Sequence, residues 1–203
     1  MQERSRETRR RLVRAALQLW SERGFETGIE ETTAEEIAQA AGVTKGTFYF
    51  HFAHKEEILL EMGYETASVL SEEAARCIKA ERPLEDSLRL LMNALARAIK
   101  AADPAAVTRA LAEFRRPRRS DTETPSFTPA FAEAFEVLFE RAQKEGEVTE
   151  QVEPTEMAQI LEALVVDSLL EWAGGRLPKL NVSLHRRTAI VLAGLRPDNT
   201  LTF

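Results

Sequence analysis

The sequence has one cysteine, Cys77, which excludes an intrachain disulfide and a thiolate zinc site. It has no run of about 18 uncharged apolar residues, so no transmembrane helix and no membrane partner are expected. The first residues, MQERSRETRRRLVRAAL, lack the apolar stretch of a signal peptide, and the cytoplasm is the expected compartment. Nine glycines and eight prolines are few for 203 residues, which favours long helices and short loops. No strand pattern, internal repeat or low-complexity tract occurs. HExxH, CxxC, GxSxG and P-loop motifs are missing, and two of the three histidines (51, 54 and 185) lie near the N-terminus. An enzyme would need a carboxylate pair that the pattern does not single out. No metal site and no cofactor are expected.

What is present suits a soluble helical protein. Hydrophobic residues make up 44% and charged residues 30%, enough to build a core and stay in solution. The net charge of −6 looks wrong for a nucleic-acid partner, but it is unevenly spread. Residues 1–14 hold six arginines, residues 1–55 carry a net charge of +1, and the remainder carries −7. A near-neutral head with a basic arm on an acidic body orients toward phosphate. A solvated first helix laced with i,i+4 ion pairs is the alternative.

Nine helices are expected. The first spans roughly 5–23, with Leu12, Ala16, Leu19 and Trp20 at helical spacing and Gly24 as its stop. Residues 26–32 read as a polar loop. A fourth helix, from His54 or Lys55 to about Ala80, has Ile58, Met62, Val69 and Ile78 as its inner face, with Cys77 near its end as a buried inert thiol rather than a reactive one. Pro83 starts the fifth, whose Leu84, Leu88, Leu91, Leu95 and Ala98 alternate steps of four and three. Asp103-Pro104 starts the sixth. A Pro/Ser/Thr-rich stretch from Pro117 to Thr128 reads as the longest loop, and Thr128-Pro129 caps the seventh helix. The eighth, from Pro154 to Gly174, is apolar nearly all round, so it is expected to be covered on more than one side. Ser183 reads as the cap of the ninth.

Residues 33–58 organise the chain. Thr33 with Glu36 forms a capping box, Ile37, Ala38 and Ala41 make one apolar face, and Gly42 closes the helix where positive φ is needed. Val43 plugs the turn. Thr44 opens a second helix with Phe48 and Phe52 on its inner side. This is the layout of a helix-turn-helix, with an ordinary helical hairpin as the alternative.

The run Ile37-Ala38-x-x-Ala41-Gly42-Val43-x-x-Gly46-x-x-Tyr49-x-His51-Phe52-x-x-Lys55-x-x-Ile58 resembles the DNA-binding signature of the tetracycline-repressor (TetR) family. The resemblance is close over 5–60; beyond that only the architecture matches. It implies an all-α homodimer with a helix-turn-helix head at residues 1–55 and a ligand-binding and dimerisation body at 56–203. Two heads would read double-stranded palindromic operator DNA, and an unidentified small-molecule effector would move the fourth helix and release them. There are two departures. The family usually has about three residues between Phe25 and Thr33, in a loop that tolerates insertion, and this chain has seven. Phe50 stands where the family often has a polar aromatic or histidine.

Several residues take expected roles from this resemblance and from the start of a recognition helix pointing at base edges. Lys45 can reach guanine O6/N7. Gly46 lets the backbone approach the duplex, and Thr44 and Thr47 offer hydroxyls and methyls. Thr33, Tyr49 and His51 fall at phosphate-contacting positions, with a half-buried Tyr49 and a helix-capping His51 as alternatives. Lys55 adds a cation at the free N–H groups opening the fourth helix, and Arg9 and Arg10 reach neighbouring phosphates.

In the body, Met92, Phe114, Phe127, Phe131, Phe135, Phe139 and Trp172 lie on helices expected to enclose a pocket, although some must be core. Asn93, Glu113 and Asp167 interrupt apolar patterns. Asp167 is read as pairing with an arginine or capping a partner helix in preference to meeting a cationic ligand. Arg115, Arg116, Arg118 and Arg119 are either a solvated loop or a gate for an anionic ligand. Leu161, Leu164, Val165, Ser168, Leu169, Ile190 and Val191, on the last two helices, are the expected dimer interface. A ligand-responsive repressor is the leading function; an enzyme and a purely structural helical protein are the competitors.

Overall fold

The computed structural model describes residues 2–114 and 131–199. The expected Phe127, the Arg115–Arg119 cluster, the 117–128 loop and the Thr128-Pro129 cap lie outside the described residues, as does the side chain of Phe114. Among the described residues the fold is all-α, with ten α-helices rather than nine. They are α1 (Gln2–Arg23), α2 (Phe25–Glu31), α3 (Ala34–Ala40), α4 (Lys45–His51), α5 (Ile58–Lys79), α6 (Leu84–Lys100), α7 (Pro104–Phe114), α8 (Phe131–Lys144), α9 (Pro154–Ala173) and α10 (Leu180–Gly194). A 3-10 turn, Lys55–Glu57, precedes α5. None of these helices is long and apolar enough to cross a membrane.

The extra helix is α2, where a polar loop was expected. Gly24, at φ +80°, ends α1 and lets the chain restart at once. Within α2 only Ile29 inserts a large side chain fully into the core, so the seven residues show no helical period. Gly28 is pressed on α1: a Cβ there would meet the Trp20 carbonyl oxygen and the Arg23 Cβ at 2.9 Å each. Thr32 closes the helix, its hydroxyl donating to the Gly28 carbonyl at 2.6 Å.

Two apolar clusters result. The head core joins Leu12, Ala16, Trp20, Ile29, Ile37, Phe48 and Phe52 with Ile58 and Leu59 at the start of α5, and it reaches as far as Ala110 of α7. The body core is built from the leucines of α6, Phe135 and Phe139 of α8, and Met157, Leu161, Val165 and Leu169 of α9. Helix α5, about 33 Å long at 1.5 Å per residue, passes from one cluster to the other. Its buried face runs through Ile58, Gly63, Ala67, Leu70, Ala74 and Cys77. Val69 lies off that face, 40% exposed, because the inner stripe advances through Ala67 and Leu70 instead. Cys77 is buried.

Other helix starts follow local chemistry. Asp103 caps α7, its carboxylate accepting from Ala105 N at 2.8 Å. Pro83 is the N-cap of α6, whose first free N–H, on Leu84, is met by Glu147 at 2.8 Å. Ser183 is not a cap. Helix α10 begins at Leu180, which is fully buried, and Ser183 falls on its inner face with its hydroxyl buried and unpartnered. The apolar anchor set the start of the helix, one turn ahead of the polar signal.

Candidate nucleic-acid interface

The presumed reading unit, α3–turn–α4, is held by local bonds that its sequence dictates. Glu36 N donates to Thr33 Oγ1 at 3.2 Å, and Thr33 N donates to Glu36 Oε2 at 2.7 Å, closing the capping box. Arg23, which donates to Glu36 at 2.6 Å, and then the Thr33 bonds pull the Glu36 carboxyl down to about 2. At the other end of α3, Val43 N donates to Ala38 O and Gly42 N to Gln39 O, with Gly42 at φ +67°. This Schellman closure needs a left-handed residue at that position. Thr44 caps α4, accepting from Thr47 N at 3.1 Å.

Helix α4 turns Phe48 and Phe52 fully inward and leaves Tyr49 52% and Phe50 79% exposed. Lys45, Gly46 and Thr44 share the exposed side. A Cβ at Gly46 would meet only the Thr44 hydroxyl, at an ordinary 3.8 Å, so nothing inside the chain requires glycine there. Lys45 pairs with Glu35 at 3.2 Å across open solvent, an exposed pair that holds it weakly. Burial, then the Arg9 charge, lowers the His51 pKa, so the imidazole is neutral at neutral pH and offers a hydrogen bond rather than a charge.

Three of the head's cations do something the sequence did not announce. The three short helices end in unsatisfied carbonyls, and a remote cation meets each set. Lys55 Nζ donates to Glu30 O at 2.9 Å and Thr32 O at 2.7 Å, at the end of α2. Arg11 Nη2 donates to Ala41 O at the end of α3. Arg9 Nη1 donates to His51 O at 2.6 Å, at the end of α4. Lys55 therefore points at a C-terminal end, not at the N–H groups of its own helix. Arg10 remains exposed. Arg11 and Glu61 were missed by sequence reasoning, since their partners lie 30 and 52 residues away.

A cavity of about 350 Å³ sits where head meets body. Among the described residues its wall is apolar apart from Glu65 and Thr66 of α5, and the Thr66 hydroxyl is already bonded to Met62 O at 2.9 Å. Of the residues expected to line a pocket, Phe131 does so. Met92 and Phe135 are fully buried in the body core, and Trp172 packs against it. Asn93 bonds His185 Nε2 at 2.9 Å, and Glu113 faces His54 at 3.8 Å. The wall also takes Leu17 from α1, Met62, Gly63 and Val69 from α5, and Val107, Ala110 and Leu111 from α7. Sequence reading assigned α1 wholly to the head, so this meeting of helices was not visible.

The residues expected at a dimer interface divide between core and surface. Leu161, Val165, Ser168 and Leu169 are buried within the single chain, at 1% exposure or less. The large apolar residues of α9 and α10 that turn outward are Ile160, 45% exposed, Val182, 53% exposed, and Ile190, 66% exposed, with Leu164 and Val191 half-buried between core and solvent. Asp167 pairs with Arg187 at 2.6 Å, as one of the weighed readings expected, and the same guanidinium holds Glu171 at 2.6 Å and Ser168 Oγ at 2.9 Å.

Comparison with known proteins agrees with this architecture at both ends. Residues 12–62 match the family described as bacterial regulatory proteins, tetR family, and residues 91–197 match the SbtR-like transcriptional regulator C-terminal domain. The regulator TcmR of Streptomyces glaucescens is 46% identical over 59 residues, which is 29% of this chain but only 24% of TcmR. Solved structures match almost the whole chain, among them two regulators named FadR. The Thermus thermophilus repressor FadR, solved with lauroyl-CoA, is 27% identical, with a TM-score of 0.78 over 96% of this chain and 98% of FadR. FadR of Bacillus halodurans, 19% identical with a TM-score of 0.66 over 94% and 97% of the two chains, shares the fold. With a helix-turn-helix at its head and a family domain across more than half its length, the chain belongs to the TetR family of bacterial transcriptional regulators, not to a family of enzymes.

Proposed function

We propose that this protein is a homodimeric repressor that reads a palindromic operator through α4 and leaves it when a largely apolar small molecule fills the junction cavity. The division into a reading head (1–55) and an effector and dimerisation body (56–203) is part of this reading, as is a place in the cytoplasm beside the chromosome. The operator-facing set is Thr33, Thr44, Lys45, Gly46, Thr47, Tyr49 and His51, with Arg10 as an exposed cation of the arm. The outward faces of α9 and α10 around Leu164 and Ile190 pair with a second copy. One observation carries the proposal: α7 lines the cavity and grips the head at the same time. Val107, Ala110 and Leu111 form cavity wall, while Arg109 donates to Glu30 at 2.8 Å and to Glu26 O at 3.1 Å. A ligand that displaces α7 therefore moves α2, and with it the head, by differential contact rather than at a distance.

The cavity volume lies at the lower end of the range for small-molecule sites, about 300–1,000 Å³, and its apolar wall suits an acyl chain. The similarity to a repressor solved with lauroyl-CoA makes a medium-chain acyl-CoA the first effector to test. Glu65, the one charged residue among the described residues of the wall, favours a lipophilic cation as the second. Fluorescence anisotropy with the DNA upstream of the gene is the test. Binding should weaken steeply with salt and be reversed by lauroyl-CoA or, on the second reading, by dodecyltrimethylammonium. Absence of salt-sensitive specific binding overturns the repressor reading; binding that neither compound reverses overturns the effector assignment alone.

A further inference from the structure

We infer that Arg9 is a positioning residue, not a phosphate ligand: it ties the C-terminal end of the recognition helix to the helix that walls the cavity. The inference rests on the DNA-reading function proposed above. Its basis is the way one guanidinium is used. Nε and Nη2 of Arg9 donate to Glu61 Oε1 of α5 at 3.1 and 2.6 Å. Nη1 donates to His51 O at 2.6 Å. One face of the group lies over the Phe52 ring, with Cζ 4.2 Å from the centroid. Three of its five N–H donors and one face are thus engaged, so a carboxylate and a helix-end carbonyl together fix where the group sits.

The recognition helix needs such a tie. At seven residues α4 is too short to persist alone. Thr44 fixes its N-terminal end and Phe48 its middle; its C-terminal end is fixed by Arg9. Glu61 directly precedes Met62 and Gly63, both on the cavity wall. The bond from Arg9 to Glu61 therefore sets where α4 sits relative to the cavity helix. A planar fork meets a carboxylate with two donors and a carbonyl with a third while stacking on Phe52, a geometry that the point charge of lysine does not reproduce.

Glu61→Gln tests the role because the two views predict opposite signs. Removing an acidic charge beside the recognition helix should tighten DNA binding if Arg9 is thereby freed for phosphate. If Arg9 positions α4, specific affinity should fall about tenfold, the size of one lost charge-assisted interaction. The probe is a palindromic duplex selected from random sequence by the wild type, with a scrambled duplex for non-specific binding. Expected for Glu61→Gln and Arg9→Lys alike are weaker specific binding, unchanged non-specific binding, and a double variant no worse than either single one, because both changes break one unit. Arg9→Gln should leave the salt slope unchanged, whereas loss of a phosphate contact lowers it by about one. Affinities are referred to the active fraction and checked against thermal melts, since a purely structural role lowers the melting temperature without changing the ratio of specific to non-specific binding. If Glu61→Gln does not fold, Arg9→Lys decides the matter. Equal or tighter specific binding by the variants, or a reduced slope for Arg9→Gln, overturns the positioning role alone. A wild type that selects no duplex overturns the DNA-reading function and this inference with it.

Discussion

Glu36 shows how one side chain serves two neighbours. It is the N3 partner of Thr33 and the ion-pair partner of Arg23, and its carboxyl is held at about 2 rather than 4.5. A group whose folded pKa is depressed contributes stability above its unfolded pKa and loses it as pH falls through the folded value. The head should therefore lose stability between pH 4.5 and about 2. In Glu36→Gln that acid-side loss should be smaller, as read by circular dichroism along an acid titration; an unchanged profile would remove Glu36 from the linkage. Lys55 has a comparable double character. Two of its ammonium protons go to the carbonyls ending α2, so Lys55→Ala should cost about 1–2 kcal/mol in urea denaturation. The salt slope of DNA binding should stay unchanged, and a slope lower by about one would assign the third proton to a phosphate.

Helix α2 is the element that sequence reasoning lost, and the physical reason is specific. Helices are recognised by a repeating apolar face, and α2 inserts only Ile29 fully. Its other contact is made by Gly28, which contributes by lacking a side chain. Gly28→Ala isolates the point. Alanine favours a helix interior by about 1 kcal/mol, yet here its Cβ would be driven to 2.9 Å from the Trp20 backbone. A net destabilisation of about 1–3 kcal/mol is expected, measured by urea denaturation; a stabilised variant would mean that α2 does not pack on α1 this way. The head's helix-turn-helix was legible for the converse reason. Thr33, Glu36, Gly42 and Thr44 act on backbone groups three to five residues away, so their consequences are written where they stand.

At the scale of the whole molecule, the distinction between core and interface decides which leucines matter to assembly. Leu169 is 1% exposed inside the chain, whereas Leu164 is half-buried on the same helix. Leu164→Glu should give a folded monomer with greatly weakened operator binding, read by light scattering and anisotropy. Leu169→Glu should instead unfold the body, because it places a charge in the core beside the cavity. A Leu164→Glu protein that remains dimeric would move the interface away from α9.

The sequence by itself determined the all-α class, the capped helix-turn-helix and the family. These rest on apolar periodicity and on bonds between near neighbours, both of which are local. It also offered an arginine as one of two preferred partners for Asp167, the other being a partner helix end, although the carboxylate proves to be 58% exposed rather than buried. Only the tertiary structure decided that Arg9, Arg11 and Lys55 close helix ends, that α1 and α7 join α5 in walling the cavity, and that Leu161, Val165, Ser168 and Leu169 of the expected dimer face are core. A long cation bonds whichever carbonyl or carboxylate the fold brings within about 3 Å, and burial depends on what packs above a residue. Neither is set by spacing along the chain, so the same arginine reads as a phosphate ligand in sequence and as a tie between helices in space.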